Sequence, residues 1–142
     1  MPLRFPVPPG VILLCDYSTG FHPPEMIKRR PAIVVSPRLP HRDHLCTVVP
    51  LSGTPPSRPV RYQLRIELPE ALPTPFAETV WWAKADMLST VGFNRLDLFR
   101  TERDHEGKRK YLHPKVPPAV LQEVYGAILW SLGLGRLQNP VR

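Results

Sequence analysis

Twenty of the 142 residues are proline, and they are spread along the whole chain instead of forming one tract. Proline fixes its own backbone φ angle and lacks an amide donor, so it is excluded from helix interiors and central strands. This distribution predicts many short strands joined by ordered turns, in a mainly β fold. A chain of this length fits one domain better than two well-buried ones, and we expect a single domain over residues 1–142 with a core from about 10 to 134.

The charge balance favours a polyanionic partner. Nineteen Lys and Arg residues stand against 12 Asp and Glu, which gives a net charge of +7 at neutral pH. A basic surface of this kind attracts nucleic acid first. Cys15 and Cys46 have no metal-like spacing and are predicted to be buried free thiols of a reducing compartment. The segment MPLRFPVPPG has no apolar signal core, and no run approaches membrane-spanning length, so the sequence predicts a cytoplasmic protein without a membrane partner.

The strands can be placed from apolar runs and from alternation. Residues 11–17, AIVVS (32–36) and LCTVVPL (45–51) are short apolar runs, typical of buried strands. A half-buried strand is predicted where apolar residues alternate with charged ones, at Val60, Tyr62, Leu64, Ile66 and Leu68. TVWWAKADMLSTV reads as a further strand that turns near Asp86. Strands at this spacing favour a small barrel or sandwich.

The tail has a helical pattern. Pro117 and Pro118 stand at a helix start, and Gly133 or Gly135 lies just past its end. The predicted buried stripe consists of Leu121, Val124, Ile128 and Leu132, with Tyr125 and Leu129 beside it. The preceding segment RTERDHEGKRK has no apolar residue and is predicted to be an exposed loop.

The common catalytic signatures are absent from the sequence. It contains no glycine-rich phosphate loop, no HExxH, no CxxC and no GxSxG. The five histidines are dispersed, which argues against a metal site. We therefore expect no metal and no cofactor.

Several polar residues lie at strand ends or in loops, where they can meet. Arg30 precedes Pro31, which favours an extended backbone at Arg30. Ser52 ends the third strand, and Lys84 and Asp86 are two apart, which would place both on one strand face. With His22 from the loop before Arg30, they would supply cations, a hydroxyl, an imidazole and a carboxylate. Such a group suits cleavage of RNA by its own 2′-hydroxyl, although each residue alone also has an ordinary surface or turn role.

The order of these segments resembles one protein family. The loop with GFH, then RRPAIVVSP, TVVPLSG, AKADMLSTVGFNRL and a terminal helix are similar to the MazF/PemK (Kid-like) toxin–antitoxin ribonucleases, from about Gly10 to Leu134. The resemblance implies a small SH3-like barrel of the MazF/PemK/CcdB type with a C-terminal helix, assembled as a homodimer. It also implies metal-independent endoribonuclease cleavage of single-stranded mRNA, leaving a 2′,3′-cyclic phosphate and a 5′-hydroxyl, and inhibition by a cognate antitoxin.

The resemblance also assigns roles to residues. The implied catalytic residues are Arg30, Ser52, Asp86, Lys84 and His22. Ser52 replaces a common threonine and keeps the hydroxyl, whereas Lys84 replaces an arginine and loses the bidentate fork. The loop between His22 and Arg30 is about two residues longer than the family pattern, and Glu25 in it is an alternative carboxylate. Thr90 and Arg95 are expected to support the fold or the dimer.

RNA contacts are expected from cations and rings near these positions. The predicted RNA-binding residues are Lys28, Arg29, Glu25, Phe21 and Trp81. Phe21, Trp81 and Trp82 are candidates for stacking on unpaired bases. Because adjacent strand residues face opposite ways, at least one of the two tryptophans is expected in the core or an interface.

Two other functions remain open from the sequence. The same barrel includes DNA gyrase inhibitors that act through a C-terminal tryptophan-containing segment, and Trp130 lies in the last helix here. In the other alternative, the chain is a non-catalytic module that binds RNA or a partner. The replacement by Lys84 and the lengthened loop favour that alternative.

Overall fold

A computed structural model describes residues 2–138. Within these residues nine short strands precede one α-helix, and none of the strands exceeds eight residues, as the scattered prolines predict. The strands are β1 (Ile12–Asp16), β2 (Arg29–Val34), β3 (Leu45–Ser52), β4 (Gln63–Glu67), β5 (Val80–Lys84), β6 (Ser89–Gly92), β7 (Leu96–Asp97), β8 (Phe99–Arg100) and β9 (Tyr111–Leu112). The helix α1 spans Pro118–Ser131, and short 3₁₀ turns occupy Ala85–Met87, Phe93–Arg95 and Gly135–Leu137.

The main sheet is organised around β3. Its order is β4-β5-β3-β2-β1-β7, and every pairing is antiparallel. β2 lies along one edge of β3, while β5 and β6 pair with successive parts of the other edge. Among residues 2–138 the hydrogen-bonded order has two ends, β4 and β7, so the sheet is not closed into the continuous barrel that the resemblance implies. The predicted class, mainly β with a C-terminal helix, is confirmed.

Alternation along the strands divides the buried side chains into two groups. Ile12, Ile33 and Val49 belong to a cluster that packs with the helix residue Val124 on one face of the sheet. The second cluster lies on the opposite face and contains Leu13, Cys15, Ala32, Val34 and Val48, among others. Both faces are covered, which is why the strand sequences are continuously apolar.

Helix α1 begins and ends as predicted, but its buried face differs from the predicted stripe. Val124, Gly126 and Ala127 are buried, and Leu121 and Ile128 are half-buried. Leu132 is 59% exposed because the helix ends at Ser131 and Leu132 only caps it. The hydroxyl of Tyr125 donates to the carbonyl of Val35 at 2.8 Å and ties the helix to the end of β2.

Two other sequence predictions are also decided by the structure. Cys15 and Cys46 are buried free thiols, as predicted, and burial raises the pKa of Cys15 to about 11. Tyr62, expected on the buried face of its strand, is 36% exposed because β4 begins only at Gln63. In the part of the chain from residue 2 to residue 138, no helix combines the length and apolar character needed to cross a bilayer.

Candidate active site

Arg30 and Ser52 lie on the same face of the sheet. β2 and β3 pair with Ala32 opposite Pro50, and continuing this antiparallel register by two residues places Arg30 opposite Ser52. Arg30 is also the cross-strand partner of Cys15, whose side chain belongs to the cluster on this face. Cross-strand partners share a face with Cβ atoms about 5 Å apart, so the guanidinium and the hydroxyl project from neighbouring points.

Strand β5 adds an aromatic residue and a second cation. Ser52 pairs with Trp82, and Lys84, two residues later, projects from the same face. We call Arg30, Ser52, Trp82 and Lys84 the Arg30 patch. Its residues come from three adjacent strands, and the pairing register alone brings them together.

Asp86 joins the patch through a glutamine. Lys84 Nζ donates to Gln63 Oε1 at 2.9 Å, and Gln63 Nε2 donates to Asp86 Oδ1 at 3.3 Å. The expectation that Lys84 and Asp86 share a strand face is wrong, because β5 ends at Lys84 and Asp86 lies in the following 3₁₀ turn. Gln63 restores the connection. It was not a candidate in the sequence, where its place in the alternating β4 segment was the only available signal.

The electrostatic environment of Lys84 reflects this arrangement. Burial lowers the pKa of the Lys84 ammonium, the Asp86 carboxylate opposes that effect, and the Arg30 guanidinium lowers the pKa further. The ammonium therefore holds its proton less firmly than an exposed lysine does. Desolvation and a neighbouring cation both penalise the charged form, whereas a carboxylate favours it.

Arg30 and Ser52 both retain unused hydrogen-bonding capacity. Arg30 Nε is buried and has no hydrogen-bond partner among the described residues. Ser52 is 4% exposed, and its hydroxyl oxygen accepts from the Thr54 N–H at 3.1 Å, which leaves its proton available to donate. Buried polar groups are normally paired, so an unpaired guanidinium N–H beside a serine hydroxyl marks a place where an anion fits.

The loop before β2 brings Glu25, but not the imidazole of His22, close to Asp86. Glu25 and Asp86 line one cavity of about 460 Å³, together with Tyr17, Phe21 and Ser89 among others. The backbone N–H of His22 donates to Glu25 Oε1 at 3.1 Å, and that of Glu25 donates to the His22 carbonyl at 2.8 Å. His22 is exposed, and its imidazole makes no hydrogen bond with any residue of the described chain. The structure thus places the Glu25 side chain at the Asp86 end of the site and leaves His22 in solvent.

Arg95 holds the same loop in place. Its Nη1 donates to the carbonyls of Asp16 at 3.0 Å and Thr19 at 2.7 Å, and its guanidinium lies 4.7 Å from the ring centre of Phe21. Phe21 also packs edge-on against Tyr17, so only part of its ring faces solvent. These contacts give Arg95 the supporting role that was expected of it.

The expected stacking role of Trp81 is wrong. Trp81 is 3% exposed, packs in the core beneath the helix and donates its indole N–H to the Glu78 carbonyl at 2.8 Å. Trp82 faces the other way, is half-buried and pairs with Ser52. The ring available to RNA at this position is therefore that of Trp82.

The remaining candidates lie around the patch. Lys28 and Arg29 are exposed, and Arg29 projects from the face opposite Arg30 because the two are consecutive in β2. Thr90 shares a 2.7 Å hydrogen bond with Thr47 across β3 and β6. The indole of Trp130 lies 4.5 Å from the Arg61 guanidinium carbon and donates to Gln138 at 3.2 Å.

Within residues 2–138 the structure contains no group of three or more His, Cys, Asp or Glu side chains that could hold a metal ion.

Known proteins share both the sequence and the fold. The Escherichia coli (strain K12) protein YifN is 29% identical over 139 residues, covering 96% of this chain and 88% of that protein. A mycobacterial endoribonuclease solved in complex with its cognate antitoxin superposes with a TM-score of 0.60 at 21% identity, covering 91% of this chain and 97% of that one. MazF from Deinococcus radiodurans gives a TM-score of 0.57 at 20% identity, covering 91% and 98%. The family model for PemK-like, MazF-like toxins of type II toxin–antitoxin systems matches residues 9–131, and the chain belongs to that family.

Proposed function

We propose that this chain is the toxin of a type II toxin–antitoxin pair and a metal-independent endoribonuclease that cleaves single-stranded mRNA. The observation that carries the proposal is the Arg30 patch and its link to Asp86. Arg30, Ser52 and Lys84 project from one face of three adjacent strands, and Gln63 connects Lys84 to Asp86 in the following 3₁₀ turn. Arg30 Nε is buried without a hydrogen-bond partner among residues 2–138. Membership of the toxin family and the shared fold with endoribonucleases support it.

The geometry suggests a division of roles in the reaction. Asp86 accepts the proton of the ribose 2′-hydroxyl, and the 2′-oxygen attacks the adjacent phosphorus. Arg30 and the Ser52 hydroxyl stabilise the charge that develops on the phosphoryl oxygens. Lys84 donates a proton to the departing 5′-oxygen as the phosphorus–oxygen bond breaks. The products are a 2′,3′-cyclic phosphate and a 5′-hydroxyl.

The lowered pKa of Lys84 bears directly on its role. An ordinary lysine is a weak proton donor at neutral pH, and burial beside Arg30 moves its pKa towards the range in which general acids work well. The lowered pKa favours proton donation by Lys84, whereas the two parallel hydrogen bonds of an arginine are not replaced. We assign His22 to substrate contact instead of proton transfer, because its imidazole lies outside the Gln63 hydrogen-bond network.

The partners follow from the same assignment. We propose that a cognate antitoxin covers the site and that the chain acts in the cytoplasm as a homodimer. The solved mycobacterial relative is bound to its antitoxin, and the basic balance of this chain suits both RNA and an acidic protein partner.

Incubation of the purified protein in EDTA with long single-stranded RNA tests the activity. We expect cleavage by the wild type and a loss of about 10²–10³-fold in rate for Arg30→Ala and for Ser52→Ala, because each removes a stabilising donor. Arg38→Ala is the matched control, since Arg38 is exposed and lies beyond the opposite end of β2. End-group analysis of the fragments should detect the cyclic phosphate.

The possible outcomes test the activity and the assignment of the site residues separately. If the wild type cleaves none of several RNAs, the ribonuclease hypothesis is wrong and a non-catalytic binding module is favoured. Cleavage that survives both substitutions would overturn the site and leave the activity intact. RNA cleavage without inhibition of DNA gyrase supercoiling would exclude the gyrase alternative.

A further inference from the structure

A cavity of about 520 Å³ lies on the sheet face opposite the Arg30 patch. Arg29 at the start of β2, Arg100 at the end of β8 and Arg109 just before β9 all line it. The rest of its wall comes from residues 73–76, Leu14 and Phe99. We call it the three-arginine cavity. Its lining contains no Asp or Glu among the described residues, whereas Glu25 and Asp86 both line the cavity beside the patch.

One of the three guanidinium groups is already oriented. Arg100 Nη2 donates to Asp97 Oδ2 at 3.1 Å, and its guanidinium carbon lies 5.9 Å from the ring centre of Tyr111. These contacts hold the plane of the group and use only part of its five N–H donors. Arg29 and Arg109 are exposed. A planar guanidinium matches two phosphate oxygens at once. Asp97 partly neutralises Arg100, so the exposed Arg29 and Arg109 supply most of the positive charge, and Arg100 adds oriented N–H donors to an anion site suited to phosphate.

The cavity and the proposed cleavage site each include one of two consecutive residues of β2. Arg29 and Arg30 are consecutive, so their Cα atoms are about 3.8 Å apart while their side chains point to opposite faces. A single RNA strand with one phosphate at Arg30 can therefore pass over the end of β2 and place a later phosphate at Arg29. The half-buried ring of Phe76 offers an apolar contact for a ribose or base at that position.

We propose that the three-arginine cavity binds a phosphate of the RNA substrate outside the cleaved step. It extends the substrate site across the end of the sheet and increases affinity for long RNA. This inference rests on the proposed ribonuclease function for its ligand. It does not depend on which residue transfers which proton.

The β8–β9 hairpin offers a matched pair of substitutions. Arg109→Gln removes a cavity cation, and Lys110→Gln removes the neighbouring charge, whose side chain is exposed and does not line the cavity. The probes are fluorescent single-stranded 2′-O-methyl RNAs of about 16 and about 4 nucleotides, which fall within the range of single-strand site sizes. The methyl group blocks attack by the 2′-oxygen, so binding is measured without cleavage.

We expect Arg109→Gln to weaken binding of the long RNA several-fold and to reduce the slope of log K against log salt by about 0.7, the value for one phosphate of a single strand. Lys110→Gln should change the affinity less than twofold. With the short RNA, the two variants should be indistinguishable. Equal effects of both variants on the long RNA would overturn the proposal.

Two further outcomes keep this inference separate from the function on which it rests. If the wild type cleaves RNA but the two variants bind the long probe equally, the cavity proposal is wrong and the proposed ribonuclease function is still supported. If the wild type binds the long probe and never cleaves, the Arg109→Gln comparison still decides the cavity. If Arg109→Gln leaves RNA binding intact but weakens inhibition by the purified antitoxin, the cavity is a protein site and the proposal is wrong.

Discussion

Lys84 interacts electrostatically with both Arg30 and Asp86, and its protonation reports on these two neighbours. Burial lowers its pKa, Asp86 opposes that effect and Arg30 adds to it. We predict that Lys84 titrates below the ordinary lysine range. In Asp86→Asn the pKa should fall further, because an opposing carboxylate charge is gone, and in Arg30→Ala it should rise.

Lysine side-chain NMR across an alkaline titration measures these shifts directly. If protonated Lys84 is the proton donor, wild-type cleavage should decrease as the pH rises through this lowered pKa, below the decrease expected for an ordinary lysine. Lys84→Gln identifies the resonance and serves as the control. A Lys84 signal that titrates in the ordinary lysine range in the wild type and in both variants would contradict this arrangement.

At the residue scale, the sequence shows which residues could belong to the site better than it shows which sheet face each side chain occupies. Arg30 and Ser52 were found from their places at strand ends, and the structure puts them on one face. Trp81 was chosen over Trp82 as the RNA-binding residue, and that choice was wrong. Both faces of this sheet are covered, so the alternation of side chains does not show which tryptophan faces the helix. Gln63 was missed because its contact with Lys84 depends on the register between two strands far apart in sequence.

At the element scale, the loop between β1 and β2 depends on Arg95 for its position. One Arg95 nitrogen bonds two loop carbonyls, and the guanidinium covers Phe21. Gly20 adopts a positive φ of 79° nearby, and a side chain there would meet Arg95 Nη2 at 2.9 Å. The positive φ favours glycine at position 20, and a side chain there would displace the Arg95 guanidinium.

We predict that Arg95→Lys loosens this loop while preserving the charge. Lysine cannot bond two carbonyls and cover a ring at once, so amides of residues 18–28 should exchange faster and RNA cleavage should fall several-fold, chiefly in kcat. Global stability should fall by about 1 kcal/mol, the usual net value of a hydrogen bond. Hydrogen exchange and urea unfolding measure the two effects. Arg42→Lys is the control, because Arg42 bonds side chains of β3 and β6 and does not touch the loop.

Elements with local sequence signals were easier to predict than the points at which one strand ends and the next begins. Pro118 at the start and Gly133 beyond the end fix helix α1 within the chain itself. The segment TVWWAKADMLSTV was correctly expected to turn near Asp86, but the 3₁₀ turn that separates β5 from β6 has no sequence signature. It arises because the two strands pair with different parts of one β3 edge.

At the scale of the whole molecule, the family resemblance implied a closed barrel, whereas the structure has an open sheet. A short β7 at one end and β4 at the other are not hydrogen-bonded to each other within residues 2–138. Closure depends on long-range pairing that no local pattern encodes. The single-domain boundaries expected from chain length remain a prediction, and the family match over residues 9–131 agrees with the expected core.

The whole-molecule charge leads to a prediction about RNA affinity. The net charge is +7, and cations face both sides of the sheet end, at Arg30 and Lys84 and in the three-arginine cavity. If about three to five phosphates are neutralised, log K should fall with log salt with a slope of about −2 to −3.5 for a single strand. Raising monovalent salt about fourfold should then weaken binding roughly 20- to 130-fold.

Fluorescence anisotropy with non-cleavable 2′-O-methyl RNA at several salt concentrations, in EDTA, measures this slope. A morpholino oligomer of the same sequence is the control, since it has no phosphate charges and its weaker binding should be insensitive to salt. A flat response for the RNA would mean that stacking on rings such as Trp82 dominates, and the electrostatic description of the surface would be wrong. A steep response whose slope Arg30→Ala reduces by about 0.7 would place one phosphate at the Arg30 guanidinium.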